Sequence, residues 1–209
     1  MAKAAKQERP YHHGDLRRAI VKAALEILKE TRTLDFSLRE LARCAGVSHN
    51  APYKHFADKR ELLAAVSAAG FELLTQRMAR EIENHAHARG QLFAVLRAYI
   101  DHGVDNPALY GLMFGGHLSG PEHSRPAIER TEAEMTKALL VGVITAGGLG
   151  RPIPQTARNE RKIAGAILAC WSLVHGLTLL LADGLVGPQK KAGALADSLV
   201  QSLLDGLAH

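Results

Sequence analysis

The chain has 209 residues, 47% of them hydrophobic and 22% charged. That is enough apolar sequence to bury a core in one large or two small domains, and it argues against disordered, collagen-like and low-complexity classes. Two cysteines far apart, Cys44 and Cys170, make neither a disulfide scaffold nor a thiolate zinc site and suit a reducing cytoplasm. The opening MAKAAKQERPYHHG is basic but has no apolar run behind it, so it does not read as a secretory signal. The net charge of +5 is unevenly placed: residues 1–60 carry 13 Lys and Arg against 7 Asp and Glu, the remainder 13 against 14. A basic segment joined to a neutral one suggests a polyanion-binding module attached to a module for something else.

In chain order, Leu16, Ala19, Ile20, Ala23, Ala24, Ile27 and Leu28 form one stripe, with Arg17, Arg18, Lys22, Glu26 and Lys29 largely opposite. The spacing predicts an amphipathic helix of roughly four turns with Asp15 at its positive end. After the connection ETRTLDF, Ser37 and Glu40 form a capping box for a short helix, which Ala45-Gly46-Val47 interrupts. Ser48 then offers an N-cap for a third short helix, SHNAPYKHF, with Pro52 in the first turn, where a missing N–H costs nothing. Asp58 and Glu61 repeat the capping pattern and open a long helix to about residue 84. Further helices are expected over about 90–106, 107–115, 126–146, 157–182 and 190–206, with GGHLSGPEHSRP and GGLGRPIPQT as loops. No segment alternates over a strand length, so the fold class is all-α, with about nine helices.

Two short helices joined by Ala-Gly-Val and braced by an amphipathic first helix make a helix-turn-helix unit. Its second helix is too polar for a core: Ser48, His49, Asn50, Tyr53, Lys54 and His55 carry groups that read base edges and phosphates, while Val47 and Phe56 would anchor it. The stretch SLRELARCAGVSHNAPYKHFADKRELL, with its AGVS turn, Tyr53-x-His55-Phe56 and Lys59, resembles the DNA-binding signature of tetracycline-repressor-type (TetR) regulators over about residues 12–64. The resemblance implies Ser48, His49, Asn50 and Ala51 at the floor of the major groove, and Tyr53, Lys54 and His55 on backbone or flanking bases. It further implies Ser37, Arg39 and Lys59 at phosphates. Thr31-Arg32-Thr33 stands where a glycine commonly closes the first helix, and Asn50 stands where glycine is frequent.

The implied organisation is a basic arm over 1–11 (Lys3, Lys6, Arg9), disordered when free, a helix-turn-helix domain over 12–64, and an effector-binding and dimerisation domain over 65–209. Trp171-x-x-x-His175-Gly176 is similar to the Trp-His-Gly signature of one C-terminal subfamily of these regulators. Residues 163–182 carry no formal charge and are long enough to span a bilayer. Yet the segment has two faces: small residues Gly165, Ala169, Ser172 and Gly176 on one, and Ile163, Ile167, Cys170, Val174, Thr178 and Leu181 on the other. The bulky face would fill a core. The small stripe would meet the same helix, or the last helix with its Leu195, Leu199 and Leu203 edge, of a second subunit, so no membrane is expected.

Trp171 and His175, one turn apart, either line an effector cavity or are a core tryptophan beside a satisfied buried histidine. Tyr99, His102, Tyr110, Met113, Phe114 and Met135 are further cavity candidates, each with ordinary core packing as the alternative. Both cysteines read as packed residues. His85-x-His87 and His117 with His123 lack a ligand pattern, so no metal and no cofactor are expected. The chain has no Gly-x-Ser-x-Gly elbow, phosphate-cradling glycine loop or His-Glu-x-x-His pattern, and catalysis is not expected. The leading reading is a homodimeric, effector-released repressor of a palindromic operator. The alternatives are a small-molecule-binding protein or enzyme with a vestigial helix-turn-helix, and a general nucleoid-type DNA binder.

Overall fold

A computed structural model describes residues 13–115, 127–186 and 192–207. Its backbone forms eight α-helices and, among the described residues, no strand. They are α1 (His13–Thr31), α2 (Leu38–Cys44), α3 (Lys59–Asn84), α4 (Ala88–Asp105), α5 (Pro107–Phe114), α6 (Ala127–Val143), α7 (Glu160–Ala182) and α8 (Ala192–Leu207). The fold is all-α. The loop expected at GGHLSGPEHSRP lies almost wholly outside the described residues, as do the basic arm, His117 and His123.

The third short helix is not α-helical. It is a single 3-10 turn, Pro52–Lys54, opening at Ala51 with no side-chain cap, so Ser48 does not act as the N-cap expected of it. Pro52 supplies no N–H, and the backbone closes tight bonds instead: Ala51 N to Ser48 O at 2.9 Å and His55 N to Pro52 O at 3.0 Å.

Leu16, Ile20, Ala24 and Leu28 of α1 pack with Phe36, Leu41 and Phe56 into a small core, and the Arg17 guanidinium stacks over the Phe56 ring at 4.8 Å. The two capping patterns exist as read. Ser37 accepts from Glu40 N at 3.2 Å and Asp58 from Glu61 N at 2.8 Å, while both glutamates reach back to backbone amides. At the end of α1, Arg32 adopts φ +55°, the left-handed conformation that a glycine holds without strain.

α3 is the element shared by both halves. Its first turns bury Leu62 and Val66 beneath the helix-turn-helix, and its later turns bury Phe71, Leu74 and Met78 against α4, α5 and α6. α5 also packs on α1. Polar ties fix the body: Arg77 of α3 pairs with Asp105 at 3.0 Å, and Arg97 of α4 joins Asp101 at 2.9 Å and Asp197 of α8. α4 and α7 approach closely at Gly103, where a Cβ would run into the Thr178 methyl and the Tyr110 ring. α6 ends in a wide turn, Ile144–Gly148, where Gly147 takes φ +111°.

α7 is long and apolar enough to cross a membrane by length and composition. Of its expected core face, Ile163, Cys170, Val174, Thr178 and Leu181 are inside, while Ile167 is half-buried and borders a cavity. Outside that face, Leu168, Trp171, Leu179 and Leu180 are between 40% and 59% exposed.

Candidate nucleic-acid interface and cavity

The helix-turn-helix presents an exposed polar ridge. Ser48, His49, Asn50, Tyr53 and Lys54 are exposed and His55 is half-buried. Ala51 departs from expectation: it is 5% exposed and packs inward with Pro52 and Phe56, so it is part of the anchor and not of the groove-facing edge. The tighter spacing of a 3-10 turn turns Ala51 and Pro52 to the core and leaves Tyr53 and Lys54 outside.

The flanking positions are braced from within. The Glu40 carboxylate accepts from Ser37 N at 2.7 Å and from the Ser37 hydroxyl at 2.9 Å, which holds it below the usual carboxylate range. The Ser37 hydroxyl is thus engaged in the cap, and Arg39 is the exposed charge at the start of α2. Lys59 Nζ donates to the Leu34 carbonyl at 2.8 Å and sits 4.9 Å from the Phe36 ring centre, tying the start of α3 to the chain before α2. Two of its three ammonium protons remain for a phosphate. Cys44, expected to be packed, is exposed at the end of α2; Cys170 is buried, and burial pushes its thiol up to about 11.

A cavity of about 500 Å³ lies among α3 to α7. Phe71 and Met78 of α3, Leu96 and Tyr99 of α4, Phe114 of α5, Leu140 of α6, and Ile167, Leu168 and Trp171 of α7 line it, with Glu134 and Lys137 of α6 as its charged groups. Its size and mostly apolar walls are those of a small-molecule site. Of the candidates named from sequence, Tyr99, Phe114 and Trp171 line it directly. Tyr110 and His175 stand behind Tyr99: Tyr110 Oη lies 3.0 Å from Tyr99 Oη and 2.6 Å from His175 Nδ1, and Trp171 Nε1 donates to Tyr99 Oη at 3.0 Å. Burial pushes Tyr99 up to about 12, raises Tyr110 further and lowers His175.

The other three candidates are elsewhere. Met113 is fully buried beneath Gly70 of α3. Met135 is 51% exposed, because the α6 register turns Thr136 and Leu140 inward. His102 is 4% exposed and outside the lining; its Nε2 has no hydrogen-bond partner among the described residues, and burial lowers its pKa to about 4. Trp171, at 44% exposure, is a wall residue and not a core tryptophan. Leu96 and Leu140 carry no signal in the sequence, and Ile167 reads there only as core, because an apolar residue on a buried helix face looks the same whether a cavity or a neighbour lies against it.

The small-residue stripe is open. Gly165 and Ser172 are exposed, Ala169 and Gly176 half-buried, and a Cβ on Gly165 or Gly176 would meet nothing within 4 Å. α8 buries Ala196, Val200 and Leu204, leaving Leu195 41% exposed and Leu199 and Leu203 half-buried on the adjoining edge.

Two family models match the chain: that of bacterial regulatory proteins of the tetR family over residues 20–66, and that of the tetracyclin repressor-like C-terminal domain over residues 92–203. A solved protein of unknown function from Rhodococcus sp. RHA1 is 30% identical, with a TM-score of 0.77, 97% of this chain covered and 100% of that one. A regulatory protein in the tetR family from Rhodococcus RHA1 is 23% identical, with a TM-score of 0.64 over 92% of this chain and 96% of that one. Nucleoid occlusion factor SlmA of Marinobacter nauticus is 26% identical over 136 residues, 63% of this chain and 70% of that protein. With the second model alone covering more than half of the sequence, the chain belongs to the TetR family and is a DNA-binding transcriptional regulator.

Proposed function

We propose that this regulator is a homodimeric repressor that binds a palindromic operator and is released by a small molecule in the cavity. The observation that carries the reading is the course of α3. One unbroken helix buries Leu62 and Val66 under the DNA-binding unit and lines the cavity with Phe71 and Met78. A ligand that prefers one setting of this helix changes the position of the recognition segment. Its leverage is its differential affinity for the two settings, typically ~1–3 kcal/mol.

Residues 12–64 form the DNA-binding unit and 65–209 the effector and dimerisation unit, with the arm at 1–11. In each protomer Ser48, His49 and Asn50 enter the major groove, Tyr53, Lys54 and His55 contact backbone or flanking bases, and Arg39 and Lys59 meet phosphates. The open small-residue stripe of α7 with exposed Leu179 and Leu180, and the Leu195 edge of α8, support a four-helix interface with a second copy, which would relate the two recognition segments by a two-fold axis. The protein acts in the cytoplasm by binding and not by turnover, without cofactor, metal or membrane.

The test is binding of a selected operator duplex across 50 to 200 mM salt, roughly the range in which counterion release is steep. Affinity should fall by orders of magnitude and the complex should contain two chains. A flat salt profile, or a single chain on a palindrome, contradicts the reading.

A further inference from the structure

The exposure of Trp171 belongs to the cavity. Ala164, Ile167, Leu168, Trp171 and Val174 line it from α7 at intervals of three and four residues, so they share one helix face with Trp171 near its middle. The small stripe of Gly165, Ala169, Ser172 and Gly176 lies roughly 130° away round the helix, at ~100° per residue. The 44% of Trp171 that is open therefore faces the cavity, while the stripe is left for a second copy.

The indole is also held in place. An indole N–H only donates, and Trp171 Nε1 donates to Tyr99 Oη at 3.0 Å, which ties one edge of the ring. His175, one turn on, lies 5.8 Å from the indole and is tilted by 51°; among the described residues no other ring packs on it. The rest of the aromatic wall is braced from within. Tyr99 stands 6.0 Å from Phe114, and Phe114 meets Phe71 edge to face at 5.1 Å. Four lining rings from α3, α4, α5 and α7 are thus contiguous, and Trp171 is the one with free surface. A fixed, half-open aromatic surface favours an aromatic partner, because offset and edge-on ring pairs gain beyond the area they bury. The wall loses little freedom when such a ring arrives. A saturated ring on the same skeleton is thicker, has no quadrupole and gains area alone.

We propose that the effector carries an aromatic ring, and that Trp171 is the surface on which this ring packs. This rests on reading the cavity as the effector site.

Two probes with one skeleton, benzyl acetate and cyclohexylmethyl acetate, test it by calorimetric titration of the full chain. The saturated ester is the more apolar, so area burial alone favours it. The ratio of aromatic to saturated affinity should be roughly two- to tenfold higher in the unaltered protein than in Trp171→Leu. Trp171→Phe should keep most of that preference. Both variants lose the N–H to Tyr99, so the difference between them isolates the ring. Trp171 is the chain's one tryptophan, so its near-UV circular dichroism reads the contact without any variant: at saturation benzyl acetate should change it more than the saturated ester does. A ratio that is the same in all three proteins or falls equally in both variants, or an indole signal changed no more by the aromatic probe, overturns the proposal and leaves the cavity a binding site. Binding of neither probe to the unaltered protein overturns the effector reading and the proposal together.

Discussion

Lys59 Nζ donates to the Leu34 carbonyl at 2.8 Å, across 25 residues of chain. The bond fixes the first turn of α3 to the connection between α1 and α2, with the Phe36 ring beneath the ammonium group. One side chain thus serves the internal geometry of the DNA-binding unit and offers charge at its surface.

Lys59→Ala should therefore act in two ways. Loss of the phosphate contact should weaken binding to every duplex alike and reduce the slope of log affinity against log salt by about one. Loss of the bond to Leu34 should cost about 0.5–1.5 kcal/mol of stability. Fluorescence anisotropy over a salt series checks the first, and denaturant unfolding the second. An altered preference among operators, with the salt slope unchanged, is the outcome that contradicts this assignment.

Arg32 holds φ +55° at the exposed end of α1, a conformation costing a residue with a Cβ roughly 1–2 kcal/mol. Arg32→Gly should remove that cost, and after the added freedom of the unfolded chain the net gain should be about 0.5–1 kcal/mol, or about 1–4 °C in Tm. A thermal melt showing a loss contradicts the strain.

Two glycines should respond in opposite ways. Gly103→Ala drives a methyl group into Thr178 and Tyr110 and should destabilise by about 1–3 kcal/mol. Gly165 faces open space within one chain, so Gly165→Ala should leave the protomer's fold intact, with a helix-propensity gain of up to about 1 kcal/mol. A larger side chain there, Gly165→Leu, should weaken a dimer that packs on this stripe by tenfold or more, read by sedimentation. Unchanged dimerisation moves the interface elsewhere.

His102 sets an acid limit on stability. Burial lowers its pKa from 6.5 to about 4, so between those values the unfolded chain binds more protons than the folded one. Stability is complete above about 6.5 and is lost as the pH falls toward 4, by roughly 3 kcal/mol in all. Half-buried His175 is lowered too and acts with the same sign. His102→Leu should flatten the slope in chemical unfolding between pH 6.5 and 4; an unchanged slope places the effect on other groups.

Much of the fold was legible because its signals are local. The Ser37–Glu40 and Asp58–Glu61 pairs mark helix starts within a few residues, and the charge-free stretch 163–182 gave its buried face by helical period alone. The recognition segment was legible in composition but not in conformation. Ser48 looked like a cap, yet Pro52 and the inward pull on Ala51 and Phe56 tightened the backbone to a 3-10 turn. In the cavity, the aromatic residues Tyr99, Phe114 and Trp171 came together, because large rings on helices that share a core meet at its centre. Met113 and Met135 lie off the cavity wall because small changes of register separate wall, core and surface on α5 and α6. The Tyr99–Tyr110–His175–Trp171 cluster joins residues as many as 76 positions apart, and no local spacing encodes it.

The most direct measurement is selection of bound sequences from a random duplex pool by the full chain. The account predicts enrichment of an inverted repeat whose half-sites lie on one face of the duplex, about 10 base pairs or a multiple apart. Enrichment of a single unrepeated site, or none over the starting pool, would contradict it.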